Sequence, residues 1–148
     1  KKLITHLGRN IYKTIDNTKT NKQVFLSYAH DDLFYTLALF IFFYNEGHIM
    51  LSVDWMKNPA HANGSVIKKF LSKELSNSED FLFLRSLSSE LRIRGGQNVR
   101  QWCAWEVGYF YQNVSSNKKV LFTNYLLSND KTNKFLDDFT FCQSLNQF

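Results

Sequence analysis

Short runs of consecutive apolar residues alternate along the chain with longer segments in which apolar residues recur at helical spacing. The runs occupy residues 24–26, 49–53, 81–84 and 120–122, and Ser52 is their only polar member. Continuous apolarity, in place of strict alternation, is typical of strands that are buried on both faces of a parallel sheet. The pattern therefore predicts four central β-strands.

Three segments with helical spacing separate the predicted strands. The first follows residues 31–32, an Asp pair that can cap it, and stops at residues 45–47. The second begins at Ser65, and the third covers residues 102–112. The order β-α-β-α-β-α-β predicts an α/β fold, namely a flavodoxin-like, doubly wound parallel sheet of four to five strands with helices on both faces.

The chain is expected to form one domain. With 148 residues, of which 44% are hydrophobic, it is long enough for one packed core and short for two. Residues 1–22 are polar and predict a lead-in or a short helix, so the single domain is placed at residues 23–148. Within it, residues 133–148 mix helical and strand signals, and they predict either a helix or a short fifth strand.

The chain is basic, with 18 Lys and Arg against 13 Asp and Glu and a net charge of +5. Such a charge attracts nucleic acid, an acidic membrane surface or an anionic small molecule. Positive charge is concentrated only at Arg92, Arg94 and Arg100, without a continuous basic stripe. Nucleic acid is therefore not the expected partner.

Composition also bears on membranes, disulfides and metals. No apolar run approaches the roughly 18 residues that a membrane span needs, so no membrane partner is predicted. Cys103 and Cys142 are the only cysteines, which excludes a disulfide scaffold and favours a cytoplasmic location. The four His residues show no ligand spacing with them, so no metal site is predicted.

Ligands of doubly wound sheets bind where the strands end, at the carboxyl edge of the sheet. This rule selects six residues that follow a predicted strand or open the third helix: Ser27, Tyr28, Asp54, Trp55, Ser86 and Trp102. We expect them to face one crevice, where the polar members orient a sugar or a phosphate. Trp55 has two interpretations, because it can cover a base or a partner surface or can pack against the sheet.

Glu106 is the most informative residue of the third helix. It lies in the segment 102–111, where every other side chain is apolar, aromatic or absent. An ionised carboxylate in such surroundings is costly unless it is paired or held for use in a cleft. Either Glu106 forms a structural salt bridge with Arg92, Arg94 or Arg100, or it acts on a ligand, and the helix pattern leaves both open.

Two motifs resemble those of the Toll/interleukin-1 receptor (TIR) domain family. Phe-Leu-Ser-Tyr at residues 25–28, with Asp31 or Asp32, is similar to the family's first box. Trp-Cys-x-x-Glu at residues 102–106 is similar to the element that carries the catalytic glutamate of its enzymatic members. The resemblance extends over residues 22–125 and is greatest to stand-alone TIR proteins of bacterial antiphage defence, including the Thoeris type.

The resemblance implies a TIR fold and an activity. Glu106 takes the position of the glutamate that cleaves NAD to nicotinamide and an ADP-ribose-derived, cyclic signalling nucleotide, with NAD as substrate and no other cofactor. The six crevice residues then bind the substrate. The loop from Asp54 to Gly64 takes the position of the family's BB loop, which closes the nucleotide site of a neighbouring copy, so self-association is implied. The nucleotide product would act on a separate effector protein in antiphage immunity.

Two other functions remain open at the level of sequence. A TIR domain without catalysis would signal by homotypic assembly. A nucleoside deoxyribosyltransferase-like enzyme, with a related fold, would use Glu106 as a covalent nucleophile. These alternatives are distinguished by the products that the protein forms from NAD and from deoxynucleosides.

Overall fold

The computed structural model describes residues 1–15, 17–57, 64–93, 96–99, 101–113, 118–124 and 139–148. The strands are β1 (Lys22–Ser27), β2 (Ile49–Ser52), β3 (Asp80–Arg85), β4 (Glu90–Ile93), β5 (Gly96–Val99), β6 (Val120–Asn124) and β7 (Thr140–Phe141). The helices are α1 (Lys2–Thr14), α2 (Leu33–Gly47), α3 (Asp54–Lys57), α4 (Gly64–Asn77) and α5 (Gln101–Gln112). Short 3-10 turns cover Asn17–Lys19, His30–Asp32 and Leu145–Gln147.

Five of the strands form one sheet in the order β2-β1-β3-β6-β7, and every neighbouring pair is parallel. This is the strand order of a flavodoxin-like doubly wound sheet, so the predicted fold class is confirmed. The strand β7 answers the choice left open for residues 133–148 only over 139–148, the part that the structure describes. Thr140 and Phe141 pair with β6 as a short fifth strand, and a 3-10 turn follows them.

The sheet separates two apolar layers, which explains why its strands are apolar on both faces. Alternate residues of β1 point to opposite layers, because side chains alternate along a strand. Val24 and Leu26 pack in the first layer with α2, while Phe25 packs in the second layer with α4 and α5. In β3, Leu82 and Phe83 divide between the layers in the same way.

Of the two possibilities for residues 1–22, a lead-in or a short helix, the structure shows the helix, and α1 is packed on the domain. Ile11 contacts the first layer, and Gly8 is buried against the Trp55 indole. A Cβ added at Gly8 would lie 2.2 Å from the ring carbon Cη2 of Trp55, so only glycine permits this close approach. The segment 1–22 therefore contains a helix that completes the core of the domain placed at residues 23–148.

Helix α2 is apolar over most of its surface. Leu37, Phe40 and Phe43 bury one of its faces in the first layer. The helix ends at Gly47, as expected, and His48 adopts the left-handed conformation with φ 51°, its N–H donating to the Phe43 carbonyl. At 15 residues α2 is too short to cross a membrane, and no other helix in the described ranges has the required length and apolarity.

The long loop expected between β3 and α5 contains an antiparallel hairpin. Strands β4 and β5 pair Glu90 with Val99 and Ile93 with Gly96, with residues 94–95 between them in sequence. A Gly-Gly pair after a segment of alternating apolar residues is typical of a tight hairpin, and the chain carries this signal. This hairpin is an addition to the predicted fold, which has a loop between β3 and α5.

Candidate active site

The carboxyl end of β1 and helix α5 meet at a hydrogen bond between Ser27 and Glu106. Ser27 is the last residue of β1 and is fully buried. Its Oγ donates to Glu106 Oε2 at 2.5 Å. One turn earlier in α5, the Cys103 thiol approaches the Tyr28 carbonyl oxygen at 3.7 Å, so the helix is held against the strand end at two points. The structure thus brings Glu106 next to Ser27, one of the residues that the sequence placed in the crevice.

Glu106 is buried, and it holds its proton more strongly than a solvated carboxylic acid does. Loss of solvation is the largest cause, and the pKa of Glu106 is raised to about 8. The Ser27 hydroxyl opposes this shift because it stabilises the carboxylate, whereas the negative charge of Asp54 raises the pKa of Glu106 further. At neutral pH the free protein therefore carries Glu106 mainly as the neutral acid.

The salt-bridge interpretation of Glu106 depended on three arginines. Arg94, Arg100 and the side chain of Arg92 lie outside the described residues. Of the side chains that the structure describes, none forms an ion pair with Glu106. A pairing with these arginines stays a prediction, and the described environment of Glu106 is neutral or acidic.

Asp54 joins the site from the end of β2. It opens α3, and the Tyr28 hydroxyl donates a hydrogen bond to its Oδ1. The backbone N–H of Trp55 donates to the same oxygen at 2.7 Å. Burial, together with the Asp54 charge, raises the pKa of Tyr28 well above its usual value, so Tyr28 remains a neutral donor. Tyr28 and Asp54 therefore lie with Ser27 and Glu106 in one polar cluster.

The Trp55 side chain does not line this crevice: of its two interpretations, the structure shows packing against the sheet, and a role in substrate binding stays a prediction. The side chain is buried in the first apolar layer, where its Nε1–H donates to Thr36 Oγ1 at 3.2 Å. Gly8 lies against the ring, and Arg9 Nε donates to the Trp55 carbonyl at 3.1 Å. Packing under α1 satisfies the indole N–H and removes the ring from solvent, which is why the residue points inward.

The burial of Trp55 also changes the basis of the predicted self-association. Met56 is buried in the same layer, so neither residue can contact a second subunit. Residues 58–63, which include Pro59, lie outside the described residues. Self-association through the loop from Asp54 to Gly64 stays a prediction, and the Trp55 side chain, which could have covered a partner surface, does not contribute to it.

Ser86, which follows β3, forms a buried network with Asp32 and Ser89. Its Oγ donates to Asp32 Oδ2, and its N–H donates to Ser89 Oγ at 2.8 Å. Asp32 stands at the N-cap position of α2, but its side chain makes no capping bond, so the predicted cap is not formed. Ser89 is a member that the sequence analysis missed, although a Ser cluster directly after a strand is a turn signal. The network ties the end of β3 to the start of α2.

Trp102 lies one turn before Glu106 on α5 and is half exposed. Its ring meets the Trp105 ring edge-on, with centroids 5.8 Å apart, and Trp105 in turn contacts Tyr109. These contacts hold the Trp102 indole at the surface while leaving much of it accessible. The predicted role of Trp102 in substrate binding stays a prediction, and its exposed ring is accessible to a ligand.

The polar cluster can hold a proton and can favour positive charge. Glu106 and Asp54 bring two acidic groups close together, and a cation placed next to Glu106 would lower its pKa and produce the carboxylate. In the ranges that the structure describes, no three His, Cys, Asp or Glu side chains are grouped as metal ligands. The described chemistry is that of one buried acid with a hydroxyl donor and an acidic neighbour.

Comparison with known proteins adds no family assignment. No protein-family model matches the chain, and no curated protein matches it significantly. The functional assignment therefore depends on the residues and the geometry described above.

Proposed function

We propose that the chain is a TIR-type NAD glycohydrolase or ADP-ribosyl cyclase of bacterial antiphage immunity, with Glu106 as its catalytic residue. The observation that carries the proposal is the buried Glu106 carboxyl group, which Ser27 holds at the carboxyl end of a parallel sheet. The resemblance of residues 102–106 to the Trp-Cys-x-x-Glu element supports the same assignment.

The first step breaks the bond between ribose C1′ and the pyridinium nitrogen of NAD. The bonding electron pair goes to the nitrogen, so nicotinamide leaves as a neutral molecule and needs no proton. The ribosyl group becomes oxocarbenium-like. An ionised Glu106 stabilises this positive charge and accepts hydrogen bonds from the ribose hydroxyls, which is the electrostatic half of glycosidase chemistry.

Attack on C1′ completes the reaction. Water as nucleophile gives ADP-ribose and releases one proton. A hydroxyl of the same ADP-ribosyl unit gives a cyclic nucleotide and likewise releases one proton. Exclusion of water favours the cyclic product, and this nucleotide would then act on a separate effector protein.

The charges around Glu106 suit a substrate with a positively charged ring. The nicotinamide ring of bound NAD is positive, so its entry next to Glu106 and Asp54 lowers the pKa of Glu106 and creates the carboxylate where it is used. The net charge of +5 attracts the pyrophosphate of the substrate at longer range. Both effects support NAD over a neutral nucleoside as substrate.

The test is incubation of the protein with NAD at high protein concentration, followed by mass spectrometry of the products. Glu106→Gln retains the size of the side chain and removes its charge, and we expect it to lower nicotinamide release by about a hundredfold or more. Glu79→Gln is the matched control, because Glu79 is exposed and lies next to the amino end of β3.

The product pattern separates the candidate functions. Nicotinamide release by the wild type and by Glu79→Gln, but not by Glu106→Gln, supports the proposal. Undiminished release by Glu106→Gln contradicts the catalytic assignment. Base exchange on deoxynucleosides without nicotinamide release would assign Glu106 as a deoxyribosyltransferase-like nucleophile, and the absence of both reactions would favour a non-catalytic interaction module.

Closure of the site by the Asp54 to Gly64 loop of a neighbouring copy is part of this proposal. We expect specific activity to rise with protein concentration, because dilution would separate the copies. Constant specific activity over a wide dilution range would mean that one subunit holds a complete site.

A further inference from the structure

The amino edge of the sheet has a cleft of about 480 Å³ that takes no part in the proposed reaction. It lies where β6 and β7 begin, whereas Ser27 and Glu106 meet at the carboxyl end of β1. Small-molecule sites have volumes of roughly 300–1,000 Å³, and this cleft falls within that range. We call it the amino-edge cleft, and its polar and aromatic lining consists of Tyr111, Lys118, Lys119, Thr140 and Gln147.

The Lys118 ammonium group is held in position at the amino-edge cleft. Its Nζ donates a hydrogen bond to the Ser78 carbonyl oxygen at 2.7 Å and lies 5.6 Å from the centroid of the Phe110 ring. A Lys side chain in water samples many rotamers, and ordering it when a ligand binds opposes binding. Because the fold already restricts Lys118, an anion that binds to it loses less affinity to this ordering.

Lys119 is held at the same cleft by a different element. Its Nζ donates to the carbonyl oxygen of Gln147, in the 3-10 turn Leu145–Gln147. The Gln147 side chain accepts hydrogen bonds from the backbone N–H groups of Gln143 and Ser144, which fixes the turn. The cleft therefore presents two neighbouring ammonium groups whose positions the fold determines.

The positive charge of these two lysines is not neutralised by any carboxylate that the structure describes. Their hydrogen-bond partners are backbone carbonyl oxygens, which carry no net charge, and an ammonium group retains further N–H donors after one such bond. Asp80 accepts the backbone N–H of Lys119 at 2.7 Å, but its other oxygen is ion-paired with Lys22 at 2.5 Å. The cleft therefore favours a negatively charged ligand.

The remaining lining favours a ligand that has an aromatic ring and hydroxyl groups beside its negative charge. Tyr111 is 45% exposed, so one of its ring faces can stack on a planar base. Thr140 is exposed at the start of β7, where its hydroxyl can bond to a sugar. Nucleic acids are bound along a continuous basic stripe, whereas this cleft is concave and has two lysines, so a small ligand fits it better.

We propose that the amino-edge cleft binds a mononucleotide, whose phosphate group contacts Lys118 and Lys119 while its base stacks on Tyr111. Lysine is a common phosphate ligand because its ammonium group acts as a compact point charge. The site lies at the edge of the sheet opposite to Glu106. The proposal therefore holds whether or not the protein cleaves NAD.

Calorimetric titration of the full chain with AMP at low ionic strength tests the proposal. We expect binding that weakens as salt is added, because salt screens the attraction between the phosphate and the lysines. Joint replacement by Lys118→Gln and Lys119→Gln should lower the affinity for AMP by about tenfold or more. Lys68→Gln with Lys69→Gln is the matched control, since this exposed pair on α4 should leave the affinity unchanged.

Two further variants test the site without removing the lysine contacts that also fasten the fold. Thr140→Glu places a negative charge at an exposed position of the cleft, so it should lower the affinity for AMP by about threefold or more. Tyr111→Ala should lower the affinity for AMP by about fivefold or more, and leave that for inorganic phosphate unchanged. Circular dichroism and thermal melts of each variant check the fold.

Three results would overturn the proposal. A wild-type chain that does not bind AMP at low ionic strength would leave Lys118 and Lys119 with the role of fastening the fold alone. A loss of affinity in Trp102→Ala, but not in Thr140→Glu, would place the bound AMP in the crevice near Glu106. Equal affinities for AMP and inorganic phosphate, both unchanged by Tyr111→Ala, would identify a simple anion site without base recognition.

Discussion

The protonation state of Glu106 determines whether its carboxyl group can stabilise a developing positive charge. The pKa of this group is about 8 in the free protein, because burial outweighs the hydrogen bond from Ser27. We predict that kcat/KM for NAD rises with pH and levels off above about 8, since this parameter follows titration of the free enzyme. A profile that stays flat from pH 6 to pH 9 would contradict catalysis by the Glu106 carboxylate.

The two neighbours of Glu106 should shift this profile in opposite directions. Asp54→Asn removes a negative charge that raises the pKa of Glu106, so its profile should move to lower pH. Ser27→Ala removes the hydroxyl that stabilises the carboxylate, so its profile should move to higher pH. Measurement of kcat/KM against pH for both variants checks these two shifts. Shifts of the same sign would contradict the opposite effects of Asp54 and Ser27 on the pKa of Glu106.

The sequence predicted the polar residues of the site better than the aromatic ones. Ser27, Asp54 and Glu106 could be found because strand ends and a charge in an apolar helix leave clear patterns, and these patterns follow from topology and solvation. The inward direction of Trp55 could not be found in this way. It depends on a contact with Gly8, 47 positions earlier in the chain, which no local pattern records.

At the level of helices, two glycines provide a matched test of packing. Alanine usually stabilises a helix by up to about 1 kcal/mol relative to glycine. In α1, Gly8→Ala should instead destabilise the protein by about 1–3 kcal/mol, because its Cβ would lie 2.2 Å from the buried Trp55 ring. In α5, Gly108→Ala should stabilise it by about 0.5–1 kcal/mol, since nothing lies within 4 Å of the added Cβ.

Chemical denaturation of both glycine variants measures these changes. The wild type is the reference, and Gly108→Ala controls for the general effect of alanine on a helix. Stabilisation by Gly8→Ala would mean that α1 does not press against Trp55 in solution.

The main strands were predictable because they are continuous apolar runs, and three of the helices were predictable because their apolar residues recur at helical spacing. Strands β1, β2, β3 and β6 are short apolar runs, and α2, α4 and α5 follow between them with helical spacing. The hairpin of β4 and β5 and the helix α1 were harder. Both had local signals that were passed over: α1 has apolar residues at helical spacing among many polar ones, and the hairpin has a Gly-Gly pair after an alternating segment.

For the molecule as a whole, the Glu106 proton links stability to pH. Between its ordinary pKa of 4.5 and about 8, the folded chain retains a proton that the unfolded chain has lost. The retained proton adds to the free energy of unfolding. This stabilisation is complete below pH 4.5 and is lost as pH rises through about 8, at up to about 1.4 kcal/mol per pH unit. Glu106→Gln has no such proton, so its melting temperature relative to wild type should rise with pH.

Thermal melts of both proteins from pH 5 to pH 9 measure this difference. For a chain of this size, each kcal/mol corresponds to roughly 2–4 °C. If Glu106 is instead paired with an arginine, Glu106→Gln should be less stable than wild type at neutral pH, because it leaves the arginine unpaired.

The contact between Gly8 and Trp55 also limits how the sequence can vary over evolutionary time. A residue larger than glycine at position 8 occupies space that the indole now fills, so it becomes tolerable only when position 55 carries a smaller side chain. The two positions should therefore change together among natural variants of this chain. Such paired substitutions would show that the side chains of positions 8 and 55 occupy one shared space between α1 and α3.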